Sequence, residues 1–135
     1  MNKIVITLSI IALSFSAVSC QSTSSTKEVE QGKKQTIERV DNQKFAALLK
    51  STENAQVIDV RTPQEYAGGY IGDATNINFM GNDFKTKISE LDKTKAVFIY
   101  CQGGGRSGRA LKVFQEMGFE TVYELKTGYG NWSGK

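Results

Sequence analysis

The sequence contains no histidine. That absence removes the Ser-His-Asp triad, the Cys-His pair and every His-ligated zinc site from consideration. A nucleophile in this chain has to be activated by backbone dipoles, by cations or by a carboxylate. Cysteine is nearly as scarce, with only Cys20 and Cys101 among 135 residues. Neither sign of charge dominates: 17 Lys and Arg oppose 14 Asp and Glu, and 16 basic residues remain once Lys3, in an expected leader, is set aside. So even a balance, without a basic stripe interleaved with aromatics, argues against nucleic acid as a partner. The length suits one compact domain, and 39% hydrophobic with 23% charged residues is an ordinary soluble composition.

The chain opens with Met1-Asn2-Lys3, followed by an uncharged run from Ile4 to Val18. Such a run is short for a membrane span but suits the hydrophobic region of a secretory signal. It ends in Ala17-Val18-Ser19-Cys20, which resembles a bacterial lipobox. The resemblance implies that residues 1–19 are a signal peptide and that Cys20 is the lipid-attachment residue. It also implies that the protein is anchored at the cell envelope, facing the periplasm. A plain signal peptide with a coincidental cysteine is the alternative. Residues 20–35 are then a polar tether, reaching roughly 20 Å, and residues 36–135 form the domain. With Cys20 lipidated, Cys101 is the only free thiol, a liability in an oxidising compartment unless its reactivity is used.

Within the domain, Asp41 is placed to cap a helix through Lys50, with Phe45, Leu48 and Leu49 on one face. Gln56 to Val60 reads as a buried strand. Thr62-Pro63-Gln64-Glu65 is a capping box with proline at the first helical position, and Gly68-Gly69 ends that helix. A strand over 75–78, a helix from Asn82 or Asp83 and a strongly apolar strand over 96–100 follow. A helix over 106–117, stopped by Gly118, and a strand over 121–125 complete the pattern. Alternating strands and helices predict an α/β sandwich around a mainly parallel sheet.

The chemistry concentrates in Tyr100-Cys101-Gln102-Gly103-Gly104-Gly105-Arg106-Ser107-Gly108, which leaves a strand and enters a helix. That crevice is where open α/β sheets bind ligands. The helix start supplies unsatisfied N–H groups and partial positive charge, which lower a thiol's pKa. Consecutive glycines let successive amides converge into an anion nest, and Arg106 adds a cation at the rim. The loop is therefore suited to a thiolate, or to an anion attached to one.

These residues resemble the rhodanese family of sulfurtransferases. Cys101, Gly104, Arg106, Ser107 and Ala110 match its loop of Cys, four residues, Arg. Ile58 to Tyr66 matches an upstream signature that continues through Gly69, Ile71, Ala74, Asn76 and Ile77. Leu125-Lys126-Thr127-Gly128 with Trp132 matches the closing turn. The likeness covers about Glu38 to Trp132. It implies a three-layer sandwich with helices on both faces of the sheet. It also implies sulfane-sulfur transfer from thiosulfate, polysulfide or a persulfide, through a persulfide on catalytic Cys101, to a thiol or cyanide. Gln102, Gly103, Gly104, Gly105 and Arg106 would bind the sulfur anion, with no metal or organic cofactor. Tyr70, Gly72 and Thr127 depart from the family's usual His, Pro and Gly, and the terminal helix is expected to be short or missing.

Other readings fit the same residues. Gly103-x-Gly105-x-x-Gly108 matches a dinucleotide fingerprint, with Glu124 near the next strand end as its acidic residue. A Cys-loop phosphatase would use a similar nest, but resembles Cys, five residues, Arg, and needs a general acid. Cys101 could also be a small buried hydrophobe, and the domain a non-catalytic binding or sulfur-carrier module. Arg61 and Glu65 are expected to form a salt bridge across the short helix. Asp59 is placed to brace the loop or Arg106, with a structural role equally open. Tyr70, Tyr129 and Trp132 are candidates for the crevice mouth or for ordinary packing.

Overall fold

The apolar run Val97–Tyr100 is buried along its whole length and forms the centre of a five-stranded sheet. The computed structural model describes residues 34–134; the expected signal peptide, Cys20 and most of the tether lie outside the described residues. The elements in order are β1 (Thr36–Val40), α1 (Asn42–Ser51), β2 (Gln56–Asp59), α2 (Pro63–Ala67), β3 (Thr75–Asn76), α3 (Phe84–Ser89), β4 (Val97–Tyr100), α4 (Gly105–Glu116) and β5 (Thr121–Leu125), followed by a 3₁₀ turn at Tyr129–Asn131. The strands lie in the order β1-β5-β4-β2-β3, and every neighbouring pair is parallel. This is the expected α/β architecture, with the sheet parallel throughout.

Alternation along the strands divides the core in two, because successive side chains point to opposite faces. From β4 and the residue after it, Val97, Ile99 and Cys101 join a cluster with Ile88 of α3 and Ala110, Leu111 and Phe114 of α4. Phe98 and Tyr100 face the other way, toward Phe45 of α1, Ile71 and Ala74. Helices therefore cover both faces. Cys101 shares a face with α4 because it continues the phase of β4.

Local signals set most boundaries. Asp41 accepts a hydrogen bond from the Lys44 amide at the start of α1. Thr62 and Glu65 form the reciprocal capping box of α2, satisfying two otherwise unpaired amides. α3 begins behind Asp83, but that side chain makes no capping bond. Leu91 lies past the end of α3 yet still packs on the first core. Gly118, with φ +82°, stops α4.

One strand was not expected. β1 is half polar and sits at the sheet edge, so its sequence carries a weak strand signal. It gains its conformation by pairing along its whole length with β5, from Thr36 beside Thr121 to Val40 beside Leu125. Gln35, expected as the last tether residue, is already tied to the domain: its side-chain amide donates to the Gln115 and Phe119 carbonyls, at 3.0 and 2.9 Å.

One expectation about charges needs correction, and the alternatives left open for Asp59 are decided. Arg61 does not pair with Glu65. It precedes the cap Thr62 and so lies off the helix. Its guanidinium instead returns to Asp59, with Nη2 at 2.6 Å from Oδ2, and both side chains are buried. Asp59 is spent on Arg61, not on Arg106, and Arg61 in turn reaches the loop, its Nη1 3.4 Å from Gln102 Oε1. Glu65 turns to Arg106. Trp132 is no mouth residue either, since it packs edge-on against Phe45 in the second core.

Candidate active site

β4 ends at Tyr100 and α4 begins at Gly105, so residues 101–104 must reverse the chain within one tight loop. Gly104 has φ +82°, and a Cβ there would collide with the Lys126 carbonyl. Gly128, at φ +70°, brings the closing turn equally near, because a Cβ would lie 2.5 Å from the Gln102 carbonyl. Only glycine permits both approaches.

The packing against that turn sets the direction of the loop's peptides. The Tyr129 amide donates to the Cys101 carbonyl at 2.7 Å, and the Gly130 amide to the Gln102 carbonyl at 2.9 Å. Arg39 Nη2 donates to the Gly104 carbonyl at 3.0 Å. With carbonyls held outward, amides turn inward: the Gly104 N–H donates to Cys101 Sγ at 3.1 Å. Cys101 is buried, at 1% exposure. Burial pushes its thiol up, but a Ser107 hydroxyl turned toward it and the amides of Ser107, Gly103 and Gly104 outweigh that effect and hold it below the ordinary cysteine value.

The residues expected at the site are brought together, with different roles. Gln102, Gly103 and Gly105 are exposed on the outer side of the loop, whereas Gly104 is buried over the sulfur. Arg106 occupies the first turn of α4, but both its terminal nitrogens donate to Glu65, at 2.6 Å each. Its charge is thus shared with a carboxylate, and the pair locks α2 to α4. This holds Glu65 down to about 2, chiefly through the Arg106 bonds, with burial opposing and Thr62 assisting. Tyr129 stacks over the Arg61 guanidinium, 4.0 Å from its ring centre, while Tyr70 is exposed and stacks on Tyr66.

Three residues of the site carried no role in the sulfur-transfer reading of the sequence. Ser107 Oγ lies 3.3 Å from Cys101 Sγ and 2.5 Å from Glu124 Oε1. Glu124 is fully buried, and Arg39 Nε donates to its Oε2 at 2.6 Å. Arg39 and Glu124 are register partners on β1 and β5, so the pairing follows from sheet order and could not be read from spacing. This also disposes of the dinucleotide reading. Glu124 is enclosed and cannot meet a ribose, and Gly108 serves close packing on Arg39, whose guanidinium carbon lies 3.2 Å from where a Cβ would stand.

Comparison with known proteins agrees with this geometry. The rhodanese-like domain family matches residues 41–135. The chain belongs to that family. A sulfurtransferase of Allochromatium vinosum is 31% identical over 97 residues, covering 72% of this chain and 89% of that protein. The Bacillus subtilis protein YqhL is 42% identical over 81 residues, 60% of this chain, and the chain spans only 63% of YqhL. Among solved structures, a rhodanese-like domain protein from Staphylococcus aureus superposes with a TM-score of 0.63 at 24% identity, over 71% of this chain and 91% of that one; at that identity the likeness speaks for the fold alone. In this rhodanese-like domain the candidate nucleophile stands at the C-terminal edge of the sheet, under a helix N-terminus, as ligand sites of such sheets do.

Proposed function

We propose that this domain is a sulfurtransferase that carries sulfane sulfur on Cys101. The observation that supports it most is the inward Gly104 amide, 3.1 Å from Sγ, in a loop whose Cys101, Gln102 and Gly104 carbonyls are bonded outward. In the first half-reaction the thiolate attacks the outer sulfur of thiosulfate, a polysulfide or a persulfide. With thiosulfate, an Sγ–S bond forms, the S–S bond to sulfite breaks, and sulfite leaves with the electron pair. In the second, a thiol or cyanide takes the outer sulfur and returns Cys101 as thiolate. The scheme is covalent catalysis with ping-pong kinetics. The amides of Gly103, Gly104 and Ser107 stabilise the anion, and Arg106 shapes the loop through Glu65. A phosphatase is less well supported, because Asp59, Glu65 and Glu124 are each committed to an arginine, which leaves none of them free as a general acid.

A second reading, sulfur carriage or docking without fast turnover, draws support from the burial of Cys101 at 1% exposure. We further propose that Cys20 carries lipid and holds the domain at the bacterial envelope, on the strength of the lipobox-like sequence. Intact-mass measurement of protein purified without reductant tests both proposals. Exposure to thiosulfate or polysulfide should add one sulfur to the wild type and none to Cys101→Ser. The membrane-fraction protein should carry diacylglyceryl mass that Cys20→Ala lacks. A wild type that gains no sulfur from any donor rules out transfer; loading without multiple turnovers selects the carrier reading.

A further inference from the structure

Arg39, Arg61 and Arg106 each touch the Cys101 loop or act electrostatically on its sulfur, and each is matched by one carboxylate. Arg39 is held by both oxygens of Glu124, at 2.6 and 3.4 Å, and Arg61 by Asp59. Those two carboxylates are fully buried, so no donor meets them. The third pair differs: Arg106 and Glu65 are 22% and 29% exposed, and an approaching anion feels their charges directly. Each terminal nitrogen of Arg106 donates to a separate Glu65 oxygen at 2.6 Å. Glu65 is also fixed by the Thr62 amide and hydroxyl, at 3.0 and 2.9 Å. A carboxylate chelated and capped in this way resists displacement by an incoming anion. Held down to about 2, it stays ionised throughout the neutral range. Arg106 thus brings N–H groups to the loop but no net charge.

We propose that Glu65 is a specificity-determining residue, which cancels the Arg106 charge and so makes Cys101 favour monoanionic donors, of the thiol-persulfide kind, over the dianion thiosulfate. The donor preference rests on the sulfurtransferase reading; the charge balance beneath it does not. When the thiolate attacks thiosulfate, an Sγ–S bond forms and sulfite leaves with the electron pair of the broken S–S bond. Three negative charges then meet at a loop whose three arginines are all compensated. With a thiol persulfide the same attack releases a thiolate, and only two charges meet. Each added negative charge raises the cost of approach, because nothing in these ion pairs remains to offset it.

Glu65→Gln keeps the shape of the side chain and leaves Arg106 charged. Iodoacetate and iodoacetamide, alkylating agents one charge apart, read that charge at Cys101 without any sulfur transfer. Their rate ratio at a single pH does not depend on the amount of thiolate, and in E65Q it should rise about tenfold toward iodoacetate. Thiosulfate and methanethiosulfonate form a second pair, alike in size and one charge apart; the latter gives up its outer sulfur and leaves as methanesulfinate. The ratio of their rates of loading Cys101, followed by intact mass, should rise by a similar factor toward thiosulfate. Both gains should vanish in the double variant E65Q/R106Q, which removes the freed cation, with thermal unfolding checking each fold. Arg106→Gln alone, available even if E65Q fails to fold, should lower both ratios, because it leaves the Glu65 charge uncompensated beside the loop. Ratios unmoved or lowered in E65Q, gains that survive in the double variant, or ratios unmoved or raised in R106Q overturn the proposal. If the alkylation ratio moves as expected but neither donor adds sulfur to any of these proteins, the sulfurtransferase reading is what fails, and the donor preference falls with it.

Discussion

At the scale of single residues, the site depends on glycines that no other residue can replace. Gly104 combines a left-handed backbone with contact on the Lys126 carbonyl, and it contributes the amide on Cys101 Sγ. Gly104→Ala must strain the backbone or push the closing turn away, and either motion withdraws that amide. A loss of about 2–4 kcal/mol is expected, read as a lower urea midpoint, together with Cys101 alkylation moved to higher pH because the thiolate loses a donor. Unchanged stability and reactivity would show that the loop is slack. The glycines at 103 and 105, where a Cβ meets nothing within 4 Å, should accept alanine with far smaller effect.

At the scale of elements, α2 and α4 are held together by Glu65 and Arg106 while Glu65 also closes the capping box of α2. The carboxyl is depressed from 4.5 to about 2 in the folded protein. Its stabilisation is therefore complete above pH 4.5, falls away as pH drops toward 2, and is absent below both values. Urea midpoints of the wild type should fall across that window more steeply than those of Glu65→Gln. At neutral pH the variant should be about 1 kcal/mol less stable, a modest figure because solvent screens a pair that is only partly buried. Parallel pH curves for the two proteins would show that the ion pair is not formed in solution.

At the scale of the whole molecule, the edge strand β1 closes the sheet and completes the site. It covers β5 and brings Arg39 against the otherwise uncompensated carboxylate of Glu124. Removal of residues 1–40 should abolish cooperative thermal unfolding by circular dichroism, since β5 loses one of its two neighbouring strands and a buried charge is left without its ion-pair partner. Removal of residues 1–33 should preserve the transition. If both shortened chains melt alike, β1 is dispensable and the Arg39–Glu124 pair is not structural.

The sequence by itself determined the order of strands and helices from α1 onward, the capping box at Thr62, the stop at Gly118 and the loop that carries Cys101. All of these depend on interactions between residues a few positions apart, which periodicity and glycine placement express directly. Only the tertiary structure decided where β1 lies and which charges meet: Arg61 with Asp59 instead of Glu65, Glu65 with Arg106, Arg39 with Glu124. Long charged side chains can reach many partners along the chain. Their choice is fixed by sheet order and by the burial that makes an unpaired charge costly, and neither is expressed in local spacing.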